Sequence, residues 1–150
     1  MKASTGRALF VLVIMATGLS MQHADAGELD LRWTFSLGSK HIGAEVDYNE
    51  FNPGVGFEAR TSEYPELYAM GGVYYNSVEA PSMYGGMGWT PIVMGKHLKL
   101  GIEAGLVTGY ETAFIQPLVA GTVRVADHAK VLVIPPTPVS PLTFGFQVVF

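Results

Sequence analysis

Residues 98–110, LKLGIEAGLVTGY, place Leu98, Leu100, Ile102, Ala104, Leu106 and Tyr110 on one parity. Lys99, Gly101, Glu103, Gly105 and Gly109 fall on the other. A period of two held over this length is a strand with one apolar and one polar face. The pattern recurs in 29–37 (LDLRWTFSL), where Leu29, Leu31, Trp33, Phe35 and Leu37 oppose Asp30, Arg32, Thr34 and Ser36. It returns in 53–60, in 117–126 and in 142–150, where Phe144, Phe146, Val148 and Phe150 share a parity. Segments 67–77, 82–91 and 129–135 complete a set of eight. Strands of about 9–11 residues can cross a bilayer when tilted, and closing them into a ring removes every edge. The pattern predicts an all-β chain, an eight-stranded antiparallel transmembrane β-barrel.

Composition narrows the alternatives. Apolar residues make up 49% of the chain and charged residues 15%, against about 25% charged in a soluble domain. A soluble eight-stranded barrel with an apolar interior is the competitor, and it needs a charged exterior. Segments 67–77 and 82–91 carry no charge on either face. The body of the chain holds no apolar run long enough for a membrane helix. With no cysteine, disulfides, thiol catalysis and cysteine-ligated metals are excluded. A net charge of −4 gives no basic footprint for nucleic acid. No spacing of His, Asp and Glu points to a metal site, and no cofactor is expected.

The first 26 residues read as a leader. Lys2 and Arg7 precede an apolar stretch from Ala8 to Leu19, and Ala24-Asp25-Ala26 supplies an A-x-A cleavage site. The apolar stretch spans about 18 Å as a helix, short of a core of about 30 Å. The expected organisation is a signal peptide over 1–26 and a barrel over 27–150, exported to the bacterial outer membrane. A last strand ending on Phe150 resembles the sorting signal of such barrels.

Parity then sorts the interior. With a periplasmic N-terminus, the connections near 61–66, 92–97 and 127–128 are periplasmic. Those near 38–52, 77–82, 111–116 and 136–141 lie outside. Arg32, Arg60, Lys99 and Arg124 point inward near periplasmic strand ends, with Glu58 and Glu103 one inward step away. Opposite charges in a narrow lumen pair, because unpaired burial is costly, so they are expected to form a polar floor. Above it, Gly54, Gly56, Gly86, Gly88, Gly105, Val107, Gly109, Leu118 and Ala120 are expected to leave a dry pocket for a hydrocarbon chain. Close backbone packing is the other reading of those glycines. At the outer rim, His41, Asp47, Tyr48, Asn49 and Glu50 come from the first loop and Asn76, Ser77 and Glu79 from the second. A histidine acting as base toward a serine or a substrate hydroxyl points to acyl transfer. Pro53, Pro117 and Pro135 fall at outer strand ends, where the missing N–H weakens the ladder; this either gives a lipid a sideways path or simply terminates the strands.

Several pieces in order resemble one family. They are DYNEFNPGVGFEAR (Asp47–Arg60), LYAM (Leu67–Met70), SVEAPSMYGGMGW (Ser77–Trp89), LKLGIEAGLVTGY, LVIPP (Leu132–Pro136) and the terminal Phe150. Together they are similar to the outer-membrane lipid A palmitoyltransferases. The resemblance implies an eight-stranded barrel with an interior acyl-chain pocket and a His, an Asp and a Ser at the outer surface. It places Ser77 at the serine and Gly88 at the glycine that floors the pocket and limits chain length. Asn76 stands where the family has aspartate, and His41 is the histidine of the matching region. The implied catalytic set is Ser77, His41 and Asn76, with Gly88, Tyr48, Glu50, Gly86 and Gly105 binding substrate. The expected activity moves a palmitoyl chain from a phospholipid to lipid A or a related envelope lipid, with the protein acting as a monomer. The alternatives are a catalytically inactive barrel of the same fold, lipid-binding or structural, and a modifier of some other envelope lipid.

Overall fold

The computed structural model describes residues 28–110, 113–138 and 140–150; the expected leader, 1–26, lies outside them. The strands are β1 (Leu29–Ile42), β2 (Gly54–Thr61), β3 (Leu67–Tyr75), β4 (Pro81–Met94), β5 (Leu98–Tyr110), β6 (Ala113–Val125), β7 (Ala129–Ile134) and β8 (Leu142–Val149). Each pairs antiparallel with the next, and β8 pairs with β1, so the sheet is a closed eight-stranded barrel. The predicted strands are all present. β1 and β4 run longer than their parity suggested, and β6 starts earlier.

Alternation sets the two faces. Leu31, Trp33, Phe35, Val73, Met87, Ile102, Leu106 and Val119 are exposed on the exterior, while Thr34, Glu58, Tyr68, Glu103, Thr122 and Arg124 are buried inside. Exposed Trp33, Tyr64, Trp89 and Phe150 gather toward the end that holds Glu28 and Phe150, and Tyr75 and Phe114 toward the other. The turns at 62–66, 95–97 and 126–128 are short. The longest connections, after β1 and β7, lie at the opposite end, which is the loop end below.

Two departures from simple parity matter. The β1–β8 register shifts between Ser36 and Gly38. Below this β-bulge, odd residues of β1 face out. Above it, Ser39 and His41 pair with Gly145 and Thr143 and share their inward side. A bulge re-aims side chains in this way. His41 was expected in a loop beyond Leu37, and instead it stands on a strand that continues to Ile42. Tyr110 was expected to face outward. Gly109 has φ +88°, a conformation open to glycine, and the chain turns there. The Tyr110 hydroxyl then lies inside, 2.8 Å from that of Tyr74.

One seam of the barrel is incomplete. β6 and β7 pair only from Gly121–Val133 down to Val125–Ala129. β7 ends at Ile134, so the upper part of β6, which contains Pro117, has no strand partner on that side among the described residues.

The lower lumen is filled by one ionic cluster. Glu58, 0% exposed, meets Arg60 at 2.8 Å, Arg124 at 2.6 Å and Lys130 at 2.8 Å. Lys130 also meets Glu103 at 2.7 Å, and the Tyr68 hydroxyl donates to Glu103 at 2.8 Å. Arg60 and Arg124 lie over the Tyr68 ring, 5.0 and 5.6 Å from its centroid. The expected floor therefore exists, with changed membership. Arg32 pairs with Asp30 and Lys99 with Asp127 at the partly exposed end instead, while Lys130 and Tyr68 join the buried cluster. Removing one partner of a buried ion cluster leaves charge uncompensated. Glu58→Ala should cost about 3–5 kcal/mol of stability, read by urea unfolding in detergent, and adding Arg124→Leu should recover part of the loss.

Candidate functional site: the cavity at the loop end

Above the ionic floor the lumen opens into a cavity of about 360 Å³, within the range of small-ligand pockets. Its two sides differ in chemistry. Val107, Leu118, Leu132 and Ile134 from β5, β6 and β7 make an apolar wall. Ser36, Ser39, His41, Thr143 and Gln147 from β1 and β8 make a polar one. Tyr84, Glu103 and Gln147 mark its lower boundary, and Tyr48, Ser77 and Val78 reach it from the loops. Pro117 and Thr137 place part of the lining at the incomplete seam. The dry, glycine-lined pocket expected from the sequence is thus a two-faced cavity.

The glycines do a different job. A Cβ on Gly88 would run into the Tyr68 ring, so Gly88 makes room for a floor residue. Gly86 and Gly105 face each other across β4 and β5. A Cβ on either would come within 2.7–2.8 Å of the other's Cα, so this pair serves close approach of two backbones. None of the three is among the residues that line the cavity. Gly72 and Gly56 have a third use. The Tyr84 ring lies across β3 and β2, and a Cβ on Gly72 would sit 2.8 Å from it. Gly88→Met should therefore impair folding rather than reset chain-length selectivity, as circular dichroism of the refolded protein in detergent will show.

Asn76 is fully buried and fully engaged. Its Oδ1 accepts from the Val78 and Ala80 backbone N–H groups at 2.9 Å, and its Nδ2 donates to Ser82 Oγ at 2.9 Å and to the Gly109 carbonyl at 2.7 Å. This uses the whole capacity of the amide N–H groups and both lone pairs of the oxygen. Asn76 was expected to orient a catalytic partner, and instead it builds the β3–β4 turn. An aspartate here would set a carboxylate against the Gly109 carbonyl, which accounts for asparagine at this position. Asn76→Asp should lower stability by about 1–3 kcal/mol, measured by equilibrium unfolding at neutral pH.

His41, Tyr48 and Ser77 do converge on the cavity. The His41 ring stacks on Tyr48 with centroids 4.5 Å apart and planes 22° from parallel. Its Nδ1 is buried with no hydrogen-bond partner. Ser77 is brought in by its backbone, whose carbonyl accepts from the Asn49 N–H at 3.0 Å and ties the first loop to the second. Glu50 is exposed and pairs with Lys40 at 2.8 Å. The Lys40 ammonium holds its carboxyl below the usual range. Its carbonyl accepts from the Ser39 N–H at 2.9 Å, so Glu50 fastens the first loop to β1 from outside the cavity. Asp47 and Glu79 are exposed. Pro53 does not open a gap, since its carbonyl accepts from the Tyr75 N–H at 2.9 Å.

Sequence reading missed Gln147 and Tyr84. Both lie on the inward parity of their strands, which was the available signal. Compared with known proteins, the chain matches no family model, and no curated protein matches it.

Proposed function

We propose that the chain is a bacterial outer-membrane barrel whose lumen takes an acyl chain from a phospholipid and passes it to lipid A or a related envelope lipid. An eight-stranded barrel with an apolar exterior is compatible with that membrane, and its aromatic residues near both ends suit the two interfaces. The observation that carries the reading is the cavity itself: its apolar wall reaches the stretch of β6 without a β7 partner. A lipid tail can pass through such a seam from the outer leaflet without its headgroup leaving the surface. Pro117 on that stretch has no N–H to offer a neighbouring strand.

The chemistry falls to His41 and Ser77, both at the cavity wall. The neutral His41 ring accepts the proton of a hydroxyl, from Ser77 or from the acceptor sugar, as that oxygen attacks the ester carbonyl of the phospholipid. The tetrahedral intermediate collapses with cleavage of the bond to the glycerol oxygen. The proton returns from His41 to that oxygen, releasing a lysophospholipid. If Ser77 is the nucleophile, a second round moves the acyl group to the acceptor.

A second reading, acyl-chain binding without transfer, is favoured by Asn76, which commits its amide to the turn rather than to His41. Mass spectrometry of lipid A from cells with and without the protein separates the two. Transfer adds one acyl mass, and His41→Ala and Ser77→Ala should each reduce it at least about a hundredfold. In a host whose outer membrane holds the folded barrel, an unchanged lipid A profile would remove transfer to lipid A, and unchanged profiles of the other envelope lipids as well would leave binding alone.

A further inference from the structure

We infer that the acyl chain taken by this cavity bears a hydroxyl group far from its carboxyl end, and that Gln147 on β8 recognises that hydroxyl; this rests on the acyl-chain reading above. Gln147 lines the cavity and is 8% exposed. Its Nε2 reaches Ser36 Oγ at 3.3 Å, and its Oε1 is buried with no hydrogen-bond partner. A buried amide with an unused polar atom is destabilising unless a water or a ligand completes it, and a ligand entering the cavity must replace whatever does so.

The surroundings sharpen the demand. Glu103 also lines the cavity, with Lys130 2.7 Å from its carboxylate, and Tyr84 borders the same depth. A plain alkyl end reaching this level would lie against a carboxylate and seal off the unpaired amide. A hydroxyl both donates and accepts, so it satisfies Gln147 whichever way the amide is turned. An anionic group would meet the Glu103 carboxylate, which stays paired with Lys130 at 2.7 Å.

Depth fixes where on the chain the hydroxyl must be. Thr143 pairs with His41 near the mouth, and Gln147 lies four residues further along β8. At about 3.4 Å per residue this is roughly 13–14 Å along the strand. With the carboxyl end held near His41, the recognised hydroxyl sits at the distal end of the chain, against the floor.

The test compares decanoic acid, 3-hydroxydecanoic acid and 10-hydroxydecanoic acid for binding to the folded full-length barrel in detergent, by displacement of a fluorescent fatty acid. A site that hydrogen-bonds a hydroxyl discriminates strongly against the analogue lacking it. The 10-hydroxy chain should bind at least about tenfold more tightly than decanoate, and the 3-hydroxy chain should resemble decanoate. Gln147→Leu should bring the 10-hydroxy chain down to the decanoate level, with decanoate binding kept or improved. Equal binding of all three chains to the wild-type barrel would overturn the inference and leave the acyl-chain reading standing. Binding of none would overturn both. The wild-type comparison decides the matter even if Gln147→Leu folds poorly.

Discussion

A carboxylate with no exposure to solvent, Glu58, is the constraint around which the lumen is arranged. It is tolerable only because Arg60, Arg124 and Lys130 converge on it. Those cations come from β2, β6 and β7, so satisfying one residue fixes how strands on different sides of the barrel sit relative to one another. A register slip of one residue on any of them would turn a buried charge outward into the apolar exterior. The cluster occupies the lower lumen, and the cavity lies above it. Floor and cavity are therefore one arrangement, with Glu103 belonging to both.

The rim depends on local devices instead. A single bulge in β1 turns Ser39 and His41 inward. A single amide, that of Asn76, holds the β3–β4 turn and grips the β5 backbone at Gly109. The contact between Asn49 and Ser77 joins the two loops. These few bonds place a histidine, a tyrosine and a serine around one opening. The geometry there is set by hydrogen bonds between loops and strands rather than by a packed core.

The number and faces of the strands were legible because alternation is dictated by an apolar outside and a polar inside, and almost every residue votes on it. The charged floor was legible in outline for the same reason. Its membership was not, because Lys130 sits in a short strand and Tyr68 in a segment without charges, where parity has little contrast. The position of His41 depended on a bulge, which leaves no mark in the alternation until the strand is seen to continue. Gly86, Gly88 and Gly105 illustrate the harder limit. A glycine says that space is needed, and not whether a ligand, a neighbouring backbone or the Tyr68 ring will fill it. Asn76 shows the reverse case, in which the side chain at a site-like position is wholly engaged by its turn and by the neighbouring β4 and β5.

The ionic floor also has a consequence in time. Glu58 lies 66 residues from Arg124 and 72 from Lys130 along the chain. The first three strands therefore carry a carboxylate with Arg60 beside it, and its other two partners arrive only with the last hairpins. Until then the lower lumen cannot be desolvated without a large penalty. A barrel lacking β6 and β7 would lack two of the three cations that compensate Glu58. Long-range contacts of this kind slow folding. Here the same contacts tie the drying of the lower lumen to the late strands β6 and β7.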